Sequence, residues 1–260
     1  MAFKTANPAL NANTFTDAAS GPIGSPAMRS LSPTAGGVMT LDGTVGKSFI
    51  LTALLIFGGA WTWRLFYLSH DPSTVMPWLW AGCIGGLIVA MITCFNKTAA
   101  PITAPIYAVL EGFALGGISC MLEAQYPGIV MQAVGLTVGT LVALLLAYTS
   151  KLIQVTEHFK LGVVAATGGI CIVYIIDLVL RFFGMHVPFI NDSGPIGIGV
   201  SVVIVIIAAL NLVLDFDFIE QGARVGAPKY MEWYAAFGLL VTLVWLYLEI
   251  LRLLAKMRRR

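Results

Sequence analysis

The chain has 260 residues, of which 15 are basic, 13 acidic and 58% hydrophobic, and its mean hydropathy is +0.87. Its 11% charged content compares with about 25% in soluble domains, and a 27.8 kDa globule could not turn this much apolar surface inward. A soluble fold is excluded. So is a disulfide scaffold, because Cys83, Cys94, Cys120 and Cys171 all lie in apolar runs with no Cys-x-x-Cys pair; a dispersed net charge of +2 argues against nucleic-acid binding.

The remaining class is an all-α polytopic membrane protein. Residues 1–46 form a polar N-terminal tail, rich in Asn, Ser, Thr, Pro, Gly and Ala, whose only charges are Lys4, Asp17, Arg29 and Asp42. That composition predicts disorder. The tail lacks the basic-then-apolar order of a cleavable signal peptide, so the first apolar segment is expected to direct insertion. Residues 47–257 form the transmembrane domain, and 258–260 a basic end. Crossing a bilayer takes about 20 apolar residues, and seven such stretches follow: 48–68, 75–95, 101–121, 128–149, 161–183, 195–214 and 233–255. Turn formers and charges separate them, as in His70-Asp71-Pro72-Ser73 and Asn191-Asp192-Ser193-Gly194.

Seven crossings leave the positive-inside rule close to balance, with 8 Lys and Arg on the tail side and 7 on the other. A last segment that dipped in and returned would make the bias strong, so its sidedness stays open. Small residues four apart (Gly82 and Gly86, Gly112 and Gly116, Gly135 and Gly139) predict close helix packing.

Several chemistries find no support. Gly46-Lys47-Ser48 lacks the earlier glycine of a phosphate-binding loop, position 41 being Leu41. His70, His158 and His186 sit in separate loops without a partner three or four residues away, which argues against a zinc site. There is no Gly-x-Ser-x-Gly elbow and no EF-hand loop. No enzyme, resident metal or cofactor is expected.

The informative residues are carboxylates within apolar helices, where a charge costs at least ~2.5–3.5 kcal/mol at the helix centre. Glu111 stands mid-segment with no basic neighbour one turn away, so it carries a proton, pairs across helices or faces water. Asp177 has Arg181 at i+4, a local ion pair; Glu249 has Arg252 at i+3. Asp215 and Asp217 close the sixth segment and point to different faces, so one is expected inward. Two acids sharing a low-dielectric site tend to hold one proton between them, which makes such a pair a pH-sensitive latch.

Ala108-Val109-Leu110-Glu111-Gly112-Phe113, Asn211-Leu212-Val213-Leu214-Asp215-Phe216-Asp217 and Leu246-Tyr247-Leu248-Glu249 together resemble the Bax inhibitor-1/YccA-like family, in its bacterial branch with a long polar tail. The resemblance covers residues 38–257. It implies a seven-transmembrane-helix bundle with the last helix central, in a bacterial inner membrane, and a proton-regulated calcium leak or cation exchanger gated by carboxylates of the sixth and seventh helices. Asp215 or Asp217 would supply the first acid. For the second, an ungapped reading puts Thr242 at the family's acidic position, whereas alignment on Leu-Tyr-Leu puts Glu249 there. A basic latch is also implied, with Arg64 and Arg252 as candidates. Partners would be the lipid bilayer and calcium or protons. The alternative is a non-transporting regulator that binds other membrane proteins, such as a quality-control protease.

Overall fold

The computed structural model describes residues 37–184 and 192–259. Residues 1–36, Asn191, His186 and Arg260 therefore lie outside the described residues. Among the described residues seven α-helices follow in order: α1 (Leu41–Ser69), α2 (Pro72–Phe95), α3 (Ala100–Gln125), α4 (Ile129–Thr149), α5 (Glu157–Phe182), α6 (Pro195–Arg224) and α7 (Met231–Arg258). A 3-10 turn at Lys97–Ala99 precedes α3. The described residues contain no strand, only an isolated antiparallel bridge between Val38 and Pro228. All seven helices are long and apolar enough to cross a membrane, the architecture read from the sequence.

The helix ends follow from local chemistry. Thr40 caps α1 by accepting from the Gly43 N–H, and α1 stops where His70 adopts φ 54°. Asp71 caps α2, ahead of Pro72 at its first position; hydrogen bonds from the Ser73 hydroxyl and N–H hold the Asp71 carboxyl below its usual range. Glu123 reaches from α3 to accept from the N–H groups of Gly128 (2.6 Å) and Val130 (3.0 Å), satisfying two donors at the start of α4.

Two boundaries differ from the sequence expectation. Helix α1 begins at Leu41, not near Ser48, and residues 37–46, assigned to the tail, belong to the fold. The cause is a charged cluster that anchors them. The Glu232 side chain, at the start of α7, is fully buried; it accepts from the Thr40 N–H (2.8 Å) and hydroxyl (2.9 Å), and pairs with Lys47 and with Lys229 (2.8 Å). Helix α6 runs ten residues past 214, because Phe216 and Ile219 continue its buried face and Glu220 and Arg224 pair one turn apart beside it. Helix α7 is one unbroken helix of 28 residues, so the last segment does not dip and return.

The chain divides into two compact units, 37–116 with 218–238, and the remainder, 117–217 with 239–259. In the first, α1 and α2 pack on α3 through the expected Gly82, Gly112 and Gly116, and through Gly58, which the spacing did not single out. A Cβ at Gly58 would lie 2.5 Å from the Val109 carbonyl oxygen, and one at Gly82 2.5 Å from that of Leu110. Gly112 and Gly116 face α1 in the same way. Trp78 stacks edge-on against both Trp61 and Phe113. In the second unit, α6 and α7 form the centre: Leu212 and Phe216 pack with Leu246, Ile250 and Leu251, and α4 adds Ile129 and Ala133. Gly135 and Gly139 do not pack as their spacing suggested. Both are exposed with open space beside them, and α4 instead buries Ala133 and Thr137.

Gly58→Ala is expected to abolish the folded, monodisperse protein in detergent, because its Cβ meets backbone, whereas Gly135→Ala leaves the elution profile and thermal midpoint unchanged. Glu232→Gln removes the charge that two lysines share and is expected to destabilise by about 1–3 kcal/mol; a thermal unfolding midpoint equal to wild type would show that the cluster does not anchor the N-terminal segment.

Candidate functional site

The second unit holds most of the acids singled out in the sequence. Asp215 and Asp217 do not close α6: nine residues of helix follow Asp215, about 14 Å at 1.5 Å per residue. They face different neighbours, as residues two apart on a helix must. Asp217 pairs with Lys160 in the first turn of α5 (2.9 Å), and Lys160 also reaches Glu157 (3.3 Å). Asp215 accepts a hydrogen bond from Thr242 of α7. Its other oxygen, Oδ2, is enclosed and has no hydrogen-bond partner among the described residues. Asp215 is thus the inward acid.

One turn before Asp215 on the same face, Asn211 donates to the Thr167 hydroxyl of α5 (2.8 Å) and to the Ile207 carbonyl (2.8 Å). Asn211 and Asp215 make a short polar lane on α6, answered by a threonine from each flanking helix. Neither Thr167 nor Lys160 was singled out from the sequence. An amide four residues from an acid in an otherwise apolar run was the signal that could have found Asn211, and a helix partner for it.

Glu249 belongs to a different group. It is buried, accepts from the Tyr174 hydroxyl of α5 (2.7 Å), and is paired with Arg252 (3.0 Å), whose Nη1 also donates to the Tyr174 hydroxyl (2.6 Å). Thr242 and Glu249 are seven residues apart on one face of α7, so Glu249 sits about 10 Å further along the axis than the Asp215 partner. The expected carboxyl pair between α6 and Glu249 is therefore not what the structure brings together: Asp215 meets Thr242, Asp217 meets Lys160, and Glu249 meets Tyr174 and Arg252. The residue opposite Asp215 is Thr242. Asp177 pairs with Arg181 within α5 (2.9 Å).

In the first unit Glu111 lies on α3 against α2, where a Cβ at Gly86 would come 3.0 Å from Oε2. It makes no hydrogen bond or ion pair with the described residues, which leaves a half-buried carboxyl unmatched. Arg64, a candidate latch, is exposed on α1 and forms no ion pair among the described residues. Arg252, the other candidate, is committed to Glu249.

Seven apolar spanning helices, with most of their intramembrane charges matched by partners from the protein itself, define a multi-pass integral membrane protein. Residues 7–259 match the model of the Bax inhibitor 1 like family, and the chain belongs to that family. No match was found among curated proteins or among solved structures.

Proposed function

We propose that the protein is a pH-sensitive cation leak, with calcium as the expected ion, in a bacterial inner membrane, and that Asp215 is its gating carboxyl. The observation that carries this reading is the enclosed Asp215 Oδ2 without a partner, opposite a single hydroxyl from Thr242. A carboxyl so placed is at least ~2.5–3.5 kcal/mol out of balance if charged and unmatched. A proton or a passing cation corrects that imbalance, so proton occupancy and cation entry compete for one group. Closed, the protonated acid and the hydroxyl hold α6 to α7; ionised, the acid offers oxygens to a cation. The other acids singled out in this unit, Asp177, Asp217 and Glu249, are held by basic partners and are less able to respond. Nothing in this reading requires an enzymatic step.

Asp215→Asn is expected to flatten the pH dependence of calcium flux into liposomes between about pH 5 and pH 8, with Asp217→Asn and Glu249→Gln retaining the wild-type profile. Thr242→Asp places a second acid opposite the first and should shift and broaden that profile, because the two carboxyls then titrate as a coupled pair. No wild-type flux at any pH would defeat the leak and leave the reading of a regulator that binds other membrane proteins.

Glu111 is tested separately. Glu111→Leu removes an unmatched carboxyl, so the thermal midpoint is expected to hold or rise. Flux is expected to fall if ions pass this group and Glu111→Gln to preserve it; equal flux in wild type and Glu111→Leu would make the residue a bystander.

A further inference from the structure

In the second unit, α5 and α7 border an open apolar groove of about 380 Å³, within the range of small-ligand pockets, ~300–1,000 Å³. Thr167, Cys171, Tyr174 and Leu178 line it from α5, at spacings that keep them on one helix face, and Trp245 closes it from α7. From Thr167 to Leu178 the groove follows α5 for about 16 Å.

The groove has a charged edge. Tyr174 lines it, and the Arg252 guanidinium carbon lies 5.2 Å from the centre of the Tyr174 ring. All the hydrogen bonds of Arg252 to Tyr174 and Glu249 leave from Nη1. Its Nε and Nη2 donors have no partner among the described residues, and its side chain is 43% exposed. An arginine fixed through one nitrogen, with its other edge open, presents the two-pronged donor set that matches a phosphate. The surroundings have the same sign: residues 249–259, the end of α7 and the residue after it, carry four basic side chains against one acid. Lys256 is occupied by the Gly197 carbonyl and the Ser201 hydroxyl, and Arg258 by the Pro127 carbonyl and Gln132, which leaves Arg252, stacked on the lining residue Tyr174, as the nearby basic side chain with donors to spare.

We propose that this groove binds one anionic phospholipid, with an acyl chain along the Thr167–Leu178 face and the phosphate held by the open edge of Arg252. Zwitterionic lipids fill the same apolar channel but bring a compensating cation to a basic edge, so the anionic class is selected by charge.

The test is native mass spectrometry of the delipidated full chain, offered phosphatidylglycerol or phosphatidylcholine with identical acyl chains. Wild type is expected to retain phosphatidylglycerol about tenfold better, the scale of one charge-assisted phosphate contact. Arg252→Gln removes the donor and is expected to abolish the preference. Because that variant also strips Glu249 of its counter-charge, Cys171→Trp is run beside it: it fills the groove without touching the ion pair, and should lose bound lipid of both kinds. Arg259→Gln, an exposed charge at the same end of α7, should keep the preference. Equal retention of the two lipids by wild type would overturn the proposal, as would lipid retention unchanged by Cys171→Trp. A preference lost equally in Arg259→Gln would show diffuse surface attraction in place of a site, and would overturn it too. Flux does not enter any of these readouts, so the result is independent of the leak.

Discussion

A charge inside a bilayer must be matched within the protein, because the hydrocarbon supplies neither water nor counter-ions. That constraint organises nearly every polar contact in the described spans. Glu232 is matched by Lys47 and Lys229, Asp217 by Lys160, Asp177 by Arg181 and Glu249 by Arg252 with Tyr174. Lone hydroxyls are absorbed more locally, as where Thr44, Thr52 and Thr137 each bond a carbonyl one turn back. Against this background two groups stand out. Asp215 keeps one oxygen without a donor, and Glu111 has no partner among the described residues. Each unit thus contains one carboxyl whose imbalance the fold does not correct, and a carboxyl in that condition is the kind that responds to protons and cations.

How legible this was depended on the physics of each feature. The seven spans were readable because hydrocarbon imposes a length and a composition that no loop imitates. Their ends were less so: bilayer thickness says where a helix must be apolar, not where it must stop. Helix α6 therefore carries its pattern on through Phe216 and Ile219, and α1 starts early because Glu232, distant in sequence, holds Thr40. Glycine spacing read correctly for Gly82 and Gly112 and incorrectly for Gly135, since a spacing names a face but not whether another helix covers it. The i+3 and i+4 ion pairs were visible as sequence neighbours. Lys160 with Asp217 and Thr167 with Asn211 join residues on different helices, and nothing local marks them.

Thr242 is the most instructive case. A threonine in an apolar helix ordinarily bonds its own backbone, so it drew less weight than an acid one could name. Placed opposite Asp215, it changes the chemistry of the pair: two carboxyls would exchange a shared proton in coupled steps, whereas a carboxyl and a hydroxyl leave one titrating group. The contact then depends on the charge state of a single residue and has no second acid to repel it open.

The contacts of α7 show where such a change would be felt. Its first turn is tied by Glu232 to two lysines, its middle by the Ser119 to Tyr247 hydroxyl bond and the Glu249, Arg252 and Tyr174 group, and its end by Lys256 and Arg258 to α6 and the α3–α4 turn. Several of these are charge-assisted, and each would have to break for the helix to slide. The bond from Thr242 to Asp215, like that from Ser119 to Tyr247, involves no basic partner, and it falls on a carboxyl with one oxygen already unsatisfied. Under the proposed gating, a cation drawn to the unsatisfied Asp215 oxygen would compete with the Thr242 hydroxyl for the carboxyl, at a contact that no basic side chain reinforces.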